Sequence, residues 1–440
     1  MRIQKTLKFL LVFIVYALAA GCSGNSSHGE ARVEEPRRDK GIPECDAHNA
    51  GLQLPEGFCA FLVADNIGPA RHMAVNDNGD IYVAIRGGHG GIAALRDRDN
   101  DGRADIVRRF GDAGGTGMGI WKGYLYFASN TFIDRYRLSE GSLVPPRPPE
   151  RVVTGFPEQG QHAAKSFDFG DRGWMYVNIG APSNACQEDT RTPGSPGMDP
   201  CPQLERHGGV WRFKADKTGQ NFNEGTRYAT GIRNSVAIAW NRAAGKLYVV
   251  QHGRDQLGQL WPDLYTDKES AELPAEEFFK VEGGSDFGWP YCYYDHIRNK
   301  KVLSPEYGGD SEKIGRCGQF VDPILAFPGH FAPNDLIFYF GKQFPKRYWK
   351  GAFIAFHGSW NRAPFEQRGY KVAFVPFAGE TPSEGYEVFA DGFAGVKSVR
   401  TSTDARFRPM GLAEGPDGSL YVVDSRRGRL WRIIYSGKNS

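Results

Sequence analysis

The sequence predicts an all-β fold, a six-bladed β-propeller, and two observations support this prediction. The first is a pattern that recurs six times, a glycine followed by an apolar strand, with tyrosine three positions after the glycine in five copies. The second is a turn-rich composition, with 56 glycines and 27 prolines among 440 residues. Glycine allows the positive φ of a tight turn, so each copy predicts a β-hairpin, and six similar hairpins predict a closed radial repeat. The copies are Gly79–Tyr82, Gly123–Tyr126, Gly173–Tyr176, Gly245–Tyr248, Gly351–Ile354 and Gly418–Tyr421.

The N-terminal segment predicts export and a lipid anchor. Residues 1–21 carry three cations ahead of the apolar run Phe9–Ala20, which is typical of a secretory signal and too short for a membrane span. The run ends at Leu18-Ala-Ala-Gly-Cys22, which resembles a bacterial lipobox, so we expect Cys22 to be acylated. The alternative is an ordinary cleaved signal with an incidental cysteine. Residues 22–44 are polar and predict a flexible tether, which places the domain in the periplasm at a membrane, with the outer membrane favoured.

The propeller is expected over residues 45–436. Phe58–Asp65 predicts a strand that closes the ring against the last blade. Two inserted loops, at about 183–208 and 255–330, interrupt the repeat and carry four cysteines. An even number of cysteines in an exported chain predicts disulfides, and we favour pairing between sequence neighbours, although other connectivities are open. The expected blade centres are 71–96, 117–138, 162–214, 233–252, 334–377 and 408–435, and the favoured pairs are Cys45–Cys59, Cys186–Cys201 and Cys292–Cys317.

The predicted hairpins place polar residues at one end of the ring. The start of a first strand and the end of a second strand lie at the same end of a hairpin, so polar side chains at both places meet on one face. Arginines and histidines fill these places in several blades, and such a cluster suits a planar anionic ligand. The residues are Arg71, His162, Arg233, Asn234 and Arg408 at first-strand starts, and His252 and His357 at second-strand ends.

Several longer stretches resemble one known family. They are Ala70–Ala74, Gln161–His162, Gly231–Asn234, Gln251–Arg254, Gly283–Pro290, His357–Arg362 and Arg406–Gly411. Over about residues 55 to 435 the chain resembles the soluble quinoprotein sugar dehydrogenases, in the sorbosone or pyranose dehydrogenase branch. The resemblance implies a six-bladed propeller that binds pyrroloquinoline quinone (PQQ) over its central mouth, with Ca²⁺ beside the quinone.

The resemblance also implies roles for single residues. His162 matches the general base that takes the sugar hydroxyl proton while hydride leaves for the quinone. Arg233 and Asn234 match the pair beside the quinone oxygens, and the backbone carbonyls of Gly253 and Arg254 match ligands of Ca²⁺. Gln161 stands where well-studied relatives have a carboxylate, so the partner that orients the base is open. The expected cofactor contacts are Arg71, Arg406, Arg408 and, in place of a lysine in some relatives, His357.

A second metal candidate follows from spacing alone. Asp97, Asp99, Asp101 and Asp105 occupy positions 1, 3, 5 and 9 around a glycine at position 6, as at the start of an EF-hand loop. Position 12 is Arg108, which excludes a complete EF-hand. A short calcium loop and a solvated turn capped by its own aspartates are both open.

The preferred function is a PQQ-dependent oxidoreductase that oxidises an aldose or a related hemiacetal or aldehyde and passes electrons to an external acceptor. Without the three cations of the signal the chain is formally neutral, which gives no reason to expect nucleic acid. GxGxxG, GxxxxGK[ST], HExxH and GxSxG are absent, so nicotinamide, nucleoside triphosphate and common hydrolase chemistries lose support. The alternatives are a calcium-dependent propeller hydrolase, such as a lactonase, and a non-enzymatic propeller that binds glycan or protein.

Overall fold

The computed structural model describes residues 43–87 and 91–437. The predicted signal, Cys22 and nearly all of the predicted tether lie outside these residues. The described chain forms six sheets that each contain four antiparallel strands, called here blades one to six. Strands within a blade are numbered from the innermost outward. The innermost strand of every blade contacts those of both neighbouring blades, which closes a ring of six and confirms the predicted propeller.

The strand bounds follow the predicted blade centres. Blades one to three contain Ala70–Val75, Ile81–Ile85, Ile92–Arg96 and Ile106–Phe110; Gly115–Trp121, Tyr124–Ser129, Phe132–Arg137 and Glu150–Thr154; and Phe167–Phe169, Trp174–Ile179, Gly209–Lys214 and Thr226–Thr230. Blades four to six contain Ala237–Asn241, Lys246–Gln251, Glu276–Val281 and Leu325–Phe327; Pro333–Phe338, Ala352–Phe356, Lys371–Val375 and Glu387–Ala390; and Pro409–Glu414, Leu420–Asp424, Leu430–Tyr435 and Phe58–Ala64. Gln220–Asn221 adds a fifth, parallel strand to blade two.

The N-terminal strand closes the ring. Phe58–Ala64 pairs antiparallel with Leu430–Tyr435 and forms the outer edge of blade six, as predicted. A disulfide between Cys45 and Cys59 holds the preceding segment to this strand. The first and last parts of the domain are therefore one sheet, so opening the ring requires breaking a ladder of backbone hydrogen bonds.

The core lies between the blades and explains the repeated tyrosine. Each of the six main apolar clusters joins the facing sides of two neighbouring blades. Three repeat tyrosines are buried in these clusters and donate a hydrogen bond to a carbonyl of the following blade. These bonds run from Tyr82 to Leu143 (3.1 Å), from Tyr126 to Ala215 (2.8 Å) and from Tyr248 to Glu380 (2.7 Å). The repeated position of this tyrosine, three residues after the glycine, thus places an aromatic ring in the core and its hydroxyl on a polar partner.

The turn glycines behave as predicted in five blades. In blade five the residue with positive φ is Lys350 (63°), and Gly351 follows it. A Cβ on Gly351 would lie 2.4 Å from the ring of Phe374, so this glycine is needed for close packing and not for turn conformation.

The insertions differ from the prediction in one respect. The 183–208 loop lies within the connection between the second and third strands of blade three. The predicted 255–330 insertion is not continuous, because it contains the last two strands of blade four. The third strand of blade four, Glu276–Val281, begins with two buried glutamates, Glu276 and Glu277, so the sequence shows no apolar residue at its start. Disulfides Cys186–Cys201 and Cys292–Cys317 lie in these connections, and all three favoured pairs are confirmed.

The remaining elements of the described chain are short. They are the α-helices Leu257–Leu260 and Asp267–Glu272, the strand pairs Cys292–Asp295 with Lys300–Leu303 and Phe377–Ala378 with Thr381–Pro382, and the 3₁₀ turns Ala47–Gly51, Asp171–Gly173, Pro202–Glu205, Phe222–Glu224, Pro305–Tyr307, Gly315–Gln319 and Lys346–Tyr348. No helix among the described residues is both long and apolar enough to cross a membrane.

Candidate active site

A cavity of about 680 Å³ opens at the end of the ring where the innermost strands begin. All six blades contribute to its lining. The predicted residues Arg71, His162, Arg233, Asn234, His357 and Arg408 line it, together with His252 and Gly253. The structure therefore brings together residues that are more than 300 positions apart in the sequence.

Irregular strand starts help to position these side chains. In blades one, two, five and six the pairing of the first strand shifts register within its first residues, at Ala70/Met73, Gly115/Gly117, Pro333/Asp335 and Pro409/Gly411. Such a bulge changes the direction in which the side chains beside it point. The register change in blade one lies at Arg71, whose Nε donates to Thr116 Oγ1 at 3.2 Å.

One part of the cavity is strongly cationic. Arg71, Arg86 and Arg408 line it beside His357. Burial and the neighbouring charge of Arg86 lower the pKa of Arg71 to about 9, and burial together with Arg408 and Arg71 holds the pKa of His357 well below its usual range. Arg408 is fixed by donating to the carbonyls of His357 (3.0 Å) and Gly358. These cations repel one another, so an anionic ligand between them would relieve an unfavourable interaction.

His162 is held in one tautomer. Its Nδ1 lies 2.6 Å from the carbonyl oxygen of Ala181, and since a carbonyl only accepts, Nδ1 carries the proton and donates it. The other ring nitrogen, Nε2, then has a free lone pair. Burial and the charge of Arg233 lower the pKa of His162 to about 3, so the ring is neutral at physiological pH. A neutral imidazole with an accessible Nε2 is able to accept a proton.

The loop that carries His162 is fixed by two further residues. The amide nitrogen of Gln159 donates to the carbonyls of Gln161 (2.7 Å), His162 (3.2 Å) and Gly180 (2.9 Å). A Cβ on Gly180 would lie 2.7 Å from the Cβ of His162, so only glycine allows this approach. The side chain of Gln161 does not orient the base, because its Oε1 accepts from Arg191 at 3.2 Å. The carbonyl group of Ala181 is therefore the partner that orients the ring of His162.

Arg233 is buried, 2% exposed, and surrounded by acceptors. It donates to the carbonyl (3.1 Å) and side chain (3.0 Å) of Asn184, to Gly253 O (2.8 Å) and to Asp255 Oδ2 (2.9 Å). Arg191, in the disulfide-closed insertion, donates to the same Asp255 oxygen at 2.9 Å. Although burial opposes ionisation, the charges of Arg233 and Arg191 hold the pKa of Asp255 well below its usual range. Two guanidinium groups share this one carboxylate, so a net positive charge stays close to His162.

His252 has the opposite tautomer to His162. Its Nε2 donates to Asn334 Oδ1 at 3.0 Å, and Nδ1 lies 3.4 Å from both the amide nitrogen and the backbone carbonyl oxygen of Asn234. Burial and Arg233 lower the pKa of His252 to about 4. Both nitrogens are engaged by protein groups, so His252 is a neutral structural neighbour of the site.

Two predicted residues lie elsewhere. Arg406 is exposed and does not line the cavity; its backbone bonds Ala394, and its side chain extends over Gly395 on the surface. The side chain of Arg254 turns away from the cavity and pairs with the buried Glu306. The structure therefore does not bring Arg406 to the cavity, and a cofactor contact from it stays a prediction.

Three acidic or arginine residues of the lining were not predicted. Arg86 directly follows the second strand of blade one and so obeys the rule that found His252 and His357. Asp255 and Glu276 lie in the region predicted as an insertion, and no sequence signal separates them from its other acidic residues. Glu276 accepts from the backbone N–H groups of Gly253 (2.8 Å) and Ala332 (3.0 Å), and burial raises its pKa to about 8. The raised pKa favours the neutral form of Glu276, which adds less negative charge to the cavity than an ordinary glutamate.

The geometry gives no support to calcium beside Gly253. The carbonyl of Gly253 already accepts from Arg233, and the oxygens of Asp255 are taken by Arg233, Arg191 and Asn361. Calcium takes six to eight oxygen ligands, and no such set of free oxygens surrounds Gly253 among the described side chains. The calcium assignment at Gly253 and Arg254 stays a prediction.

The aspartate loop lies on the opposite face of the ring, between the third and fourth strands of blade one. Asp97, Asp99 and Asp105 each place one oxygen within 4.8 Å of the others. Asp101 is not part of this group and accepts from the N–H of Arg103 at 2.8 Å. Three of the four predicted ligands thus come together, and metal binding there stays a prediction.

The fold and cavity define a six-bladed propeller with a cationic, histidine-lined central site. The family model described as TrAA12-like matches residues 52–436, and the chain belongs to this family. The resemblance to the quinoprotein sugar dehydrogenases, in the pyranose dehydrogenase branch, is thereby confirmed.

Known proteins of similar sequence and structure agree. The chain is 28% identical over 234 residues to a protein of Coprinopsis cinerea named pyrroloquinoline quinone-dependent pyranose dehydrogenase, covering 46% of this chain and 30% of that one. It superposes on the holo form of the PQQ domain of the pyranose dehydrogenase from the same organism, with a TM-score of 0.69 at 19% identity, covering 87% and 97% of the two chains. For an AA12 enzyme of Trichoderma reesei the TM-score is 0.72 at 19% identity, covering 90% and 100%. The alignments span about half the length or less of the curated relatives, and the structural likeness shows the fold.

Proposed function

We propose that the protein is a PQQ-dependent dehydrogenase that oxidises an aldose or a related hemiacetal or aldehyde. The observation that carries this proposal is the cavity itself, where four arginines meet a neutral histidine with a free Nε2. The named function of the relatives supports the same reading. A lactonase-like hydrolase would instead need acidic and amide oxygens that are free to bind a metal. The two carboxylates in this lining, Asp255 and Glu276, accept hydrogen bonds from arginine and asparagine side chains and from backbone N–H groups.

The donor set fits PQQ, a planar anion with several carboxylates. Arg71, Arg86, Arg408 and His357 would hold its carboxylates, since guanidinium groups bind carboxylates in pairs of hydrogen bonds. Among the described residues, Arg71 has one protein acceptor, Thr116, which its Nε contacts. The two terminal nitrogens of Arg71 are therefore free to donate to a ligand. When bound, PQQ would supply the two-electron acceptor for the hydride of the sugar.

The residues of the chain would then perform the proton chemistry. His162 would accept the proton of the sugar hydroxyl at Nε2, while Ala181 keeps the ring oriented through Nδ1. Arg233, fixed by Asn184 and Asp255, would stabilise negative charge that develops beside it without having to move. The same positive charge keeps His162 unprotonated before the reaction.

The proposal extends to location and partners. The signal-like residues 1–21 and the lipobox-like Cys22 support a periplasmic protein anchored to a membrane by lipid. The chain contains no CxxCH haem-attachment motif, so the electrons would pass to an external acceptor.

Reconstitution tests the proposal. The purified protein is incubated with PQQ, with and without Ca²⁺, and the sugar-dependent reduction of a neutral dye is measured for several aldoses beside the hydrolysis of their lactones. We expect dye reduction that requires both PQQ and sugar. Lactone hydrolysis without any sugar-dependent dye reduction would show that the hydrolase alternative is right.

A further inference from the structure

Three loops on the cavity face of blades five and six form one continuous surface. They are residues 357–370, 393–408 and 425–429. The first two are joined by the backbone bond from Gln367 to Val399 (2.7 Å) and by the bond from Ser398 Oγ to Glu366 (2.6 Å). The third is joined to both, through the pair Ser425 and His357 (2.6 Å) and the bond from Arg426 to Thr403 (2.9 Å). We call this surface the mouth patch, because His357 and Arg408 at its inner edge line the cavity.

The mouth patch exposes apolar side chains. Eight large hydrophobic side chains are exposed in the described part of the chain, and three of them belong to the mouth patch: Trp360 (56%), Phe365 (43%) and Val396 (47%). Trp360 also lines the cavity. Exposed apolar groups that lie together beside an active site are typical of an interaction surface, and exposed aromatic residues are enriched in such surfaces.

The mouth patch is also cationic. Its exposed carboxylates are two: Glu366, which accepts from Ser398, and Asp404, which accepts from the N–H groups of Arg400 and Thr401 at 2.9 Å. Arg368 is paired with Glu272 at 3.5 Å and adds no free charge. Five further exposed cations surround the apolar residues: Lys397, Arg400, Arg406, Arg426 and Arg427. The charge balance therefore favours an acidic partner.

We propose that the mouth patch docks an acidic redox protein that takes up the electrons of the sugar oxidation. This rests on the proposed function. Each sugar oxidised to its lactone loses two electrons and two protons. Two molecules of a one-electron acceptor would each take one electron, and the two protons would pass to solvent. Contact at the mouth brings the acceptor to the opening of the cavity, where the distance for electron transfer is shortest.

An anionic lipid surface is the competing occupant, and the structure favours the redox protein. Pro43, the first described residue, packs against the Gly102 loop, because a Cβ on Gly102 would lie 2.9 Å from the Cβ of Pro43. The neighbouring residues Asp46 and Arg103 form an ion pair at 2.5 Å. This loop lies on the face opposite the cavity, so the chain enters the propeller far from the mouth patch. Trp360 and Arg408 of the mouth patch also line the cavity, so an occupant of the patch would lie at the opening through which electrons leave, which favours the redox protein.

Binding to defined probes tests the proposal. Oxidised plastocyanin serves as the acidic one-electron probe, oxidised cytochrome c as the basic one, and phosphatidylglycerol vesicles as the lipid probe. Binding to the full chain is measured by calorimetry at low ionic strength. The patch variant carries Lys397→Glu, Arg400→Glu and Arg427→Glu, whose side chains do not line the cavity. The control variant carries Lys342→Glu, Lys346→Glu and Lys350→Glu, which make the same charge change on the opposite face of blade five.

The expected result is selective binding. Plastocyanin binds the wild-type and control proteins, cytochrome c does not, and the patch variant weakens plastocyanin binding by at least about tenfold, because reversal of charges around an interface opposes association. The loss disappears at high salt, where the charges are screened. Equal binding by the patch and control variants would overturn the proposal, as would vesicle binding through the patch without plastocyanin binding.

A kinetic measurement separates this proposal from the proposed function. In the enzyme supplied with PQQ and sugar, the second-order rate constant for plastocyanin reduction should fall at least about tenfold in the patch variant, whereas reduction of a neutral dye stays unchanged. If the wild type reduces no dye with any sugar, the proposed function is wrong, and the calorimetric result still decides whether the patch binds the acidic probe. If the patch variant reduces plastocyanin with the same rate constant as the wild type, the docking proposal is wrong and the proposed function is unaffected.

Discussion

Replacement of His162 by alanine tests the proposed base. In the structure Nδ1 is committed to Ala181, so Nε2 is the atom of this ring that can take a proton. A positioned base contributes roughly 10²- to 10⁴-fold to rate, which corresponds to about 2.7–5.4 kcal/mol of barrier. We therefore expect H162A to lower kcat by this factor. PQQ binding should hardly change, because the cationic residues remain and the Cβ beside Gly180 is kept.

The assay combines dye-reduction kinetics with calorimetric titration of PQQ. His252→Gln is the matched control, since His252 lines the same cavity but both of its nitrogens are engaged by protein groups. We expect this variant to lose less than about tenfold in kcat, below the range for a base. A kcat of H162A within threefold of wild type, about 0.65 kcal/mol, would refute the reasoning and move the base elsewhere.

The same residue sets a pH dependence. The pKa of His162 is lowered to about 3, so the base form is present at all pH values above this and is lost only as pH falls through it. A bound anion shifts the pKa back toward the ordinary value. We expect the acidic limb of the kcat profile below pH 6.5, and Arg233→Gln should move it upward by removing a positive charge. A limb above pH 6.5 in the wild type would contradict this environment.

Three further predictions concern the support of the site. Gly180→Ala should lower kcat with little change in PQQ affinity, because its Cβ would lie 2.6 Å from the carbonyl oxygen of His162 and displace that loop; unchanged kcat would show that the loop tolerates the displacement. Asp255→Ala should lower the free energy of unfolding by about 3–5 kcal/mol in urea titrations, since it leaves the buried Arg233 without its carboxylate, and a loss below about 1 kcal/mol would contradict this pairing. If the aspartate loop binds calcium, Ca²⁺ should raise the Tm of the wild type but not of Asp97→Asn, and equal Tm shifts in both proteins would exclude the loop as a calcium site.

The fold could be predicted because its signal repeats. One glycine and one tyrosine at a fixed offset mark the second strand of five blades, and the tyrosine recurs because each blade faces the same kind of neighbour. Blade five shows the limit of this argument, since Lys350 takes the positive φ there. The third strand of blade four was missed because its buried Glu276 and Glu277 are held by tertiary hydrogen bonds that no local pattern reveals.

The site could be predicted as far as strand ends define it. That rule places Arg71, His162 and Arg408 at one mouth, and applied fully it also finds Arg86. Arg408 directly precedes the strand, whereas Arg406 lies two residues further back in the connection, where side-chain direction follows loop packing. Hydrogen bonds to backbone carbonyls, such as those that fix His162 and Arg233, leave no mark in the sequence because any residue supplies a carbonyl.

Calorimetric titration of PQQ into the wild type and into the Arg71→Ala/Arg408→Ala double variant tests the central claim most directly. We expect one PQQ per chain in the wild type. The double variant should bind at least about a hundredfold more weakly, since it loses charge-assisted hydrogen bonds worth roughly 1.5–3 kcal/mol each. A wild type that binds no PQQ, or a double variant that binds as tightly as the wild type, would contradict the claim that arginines from separate blades form the cofactor site.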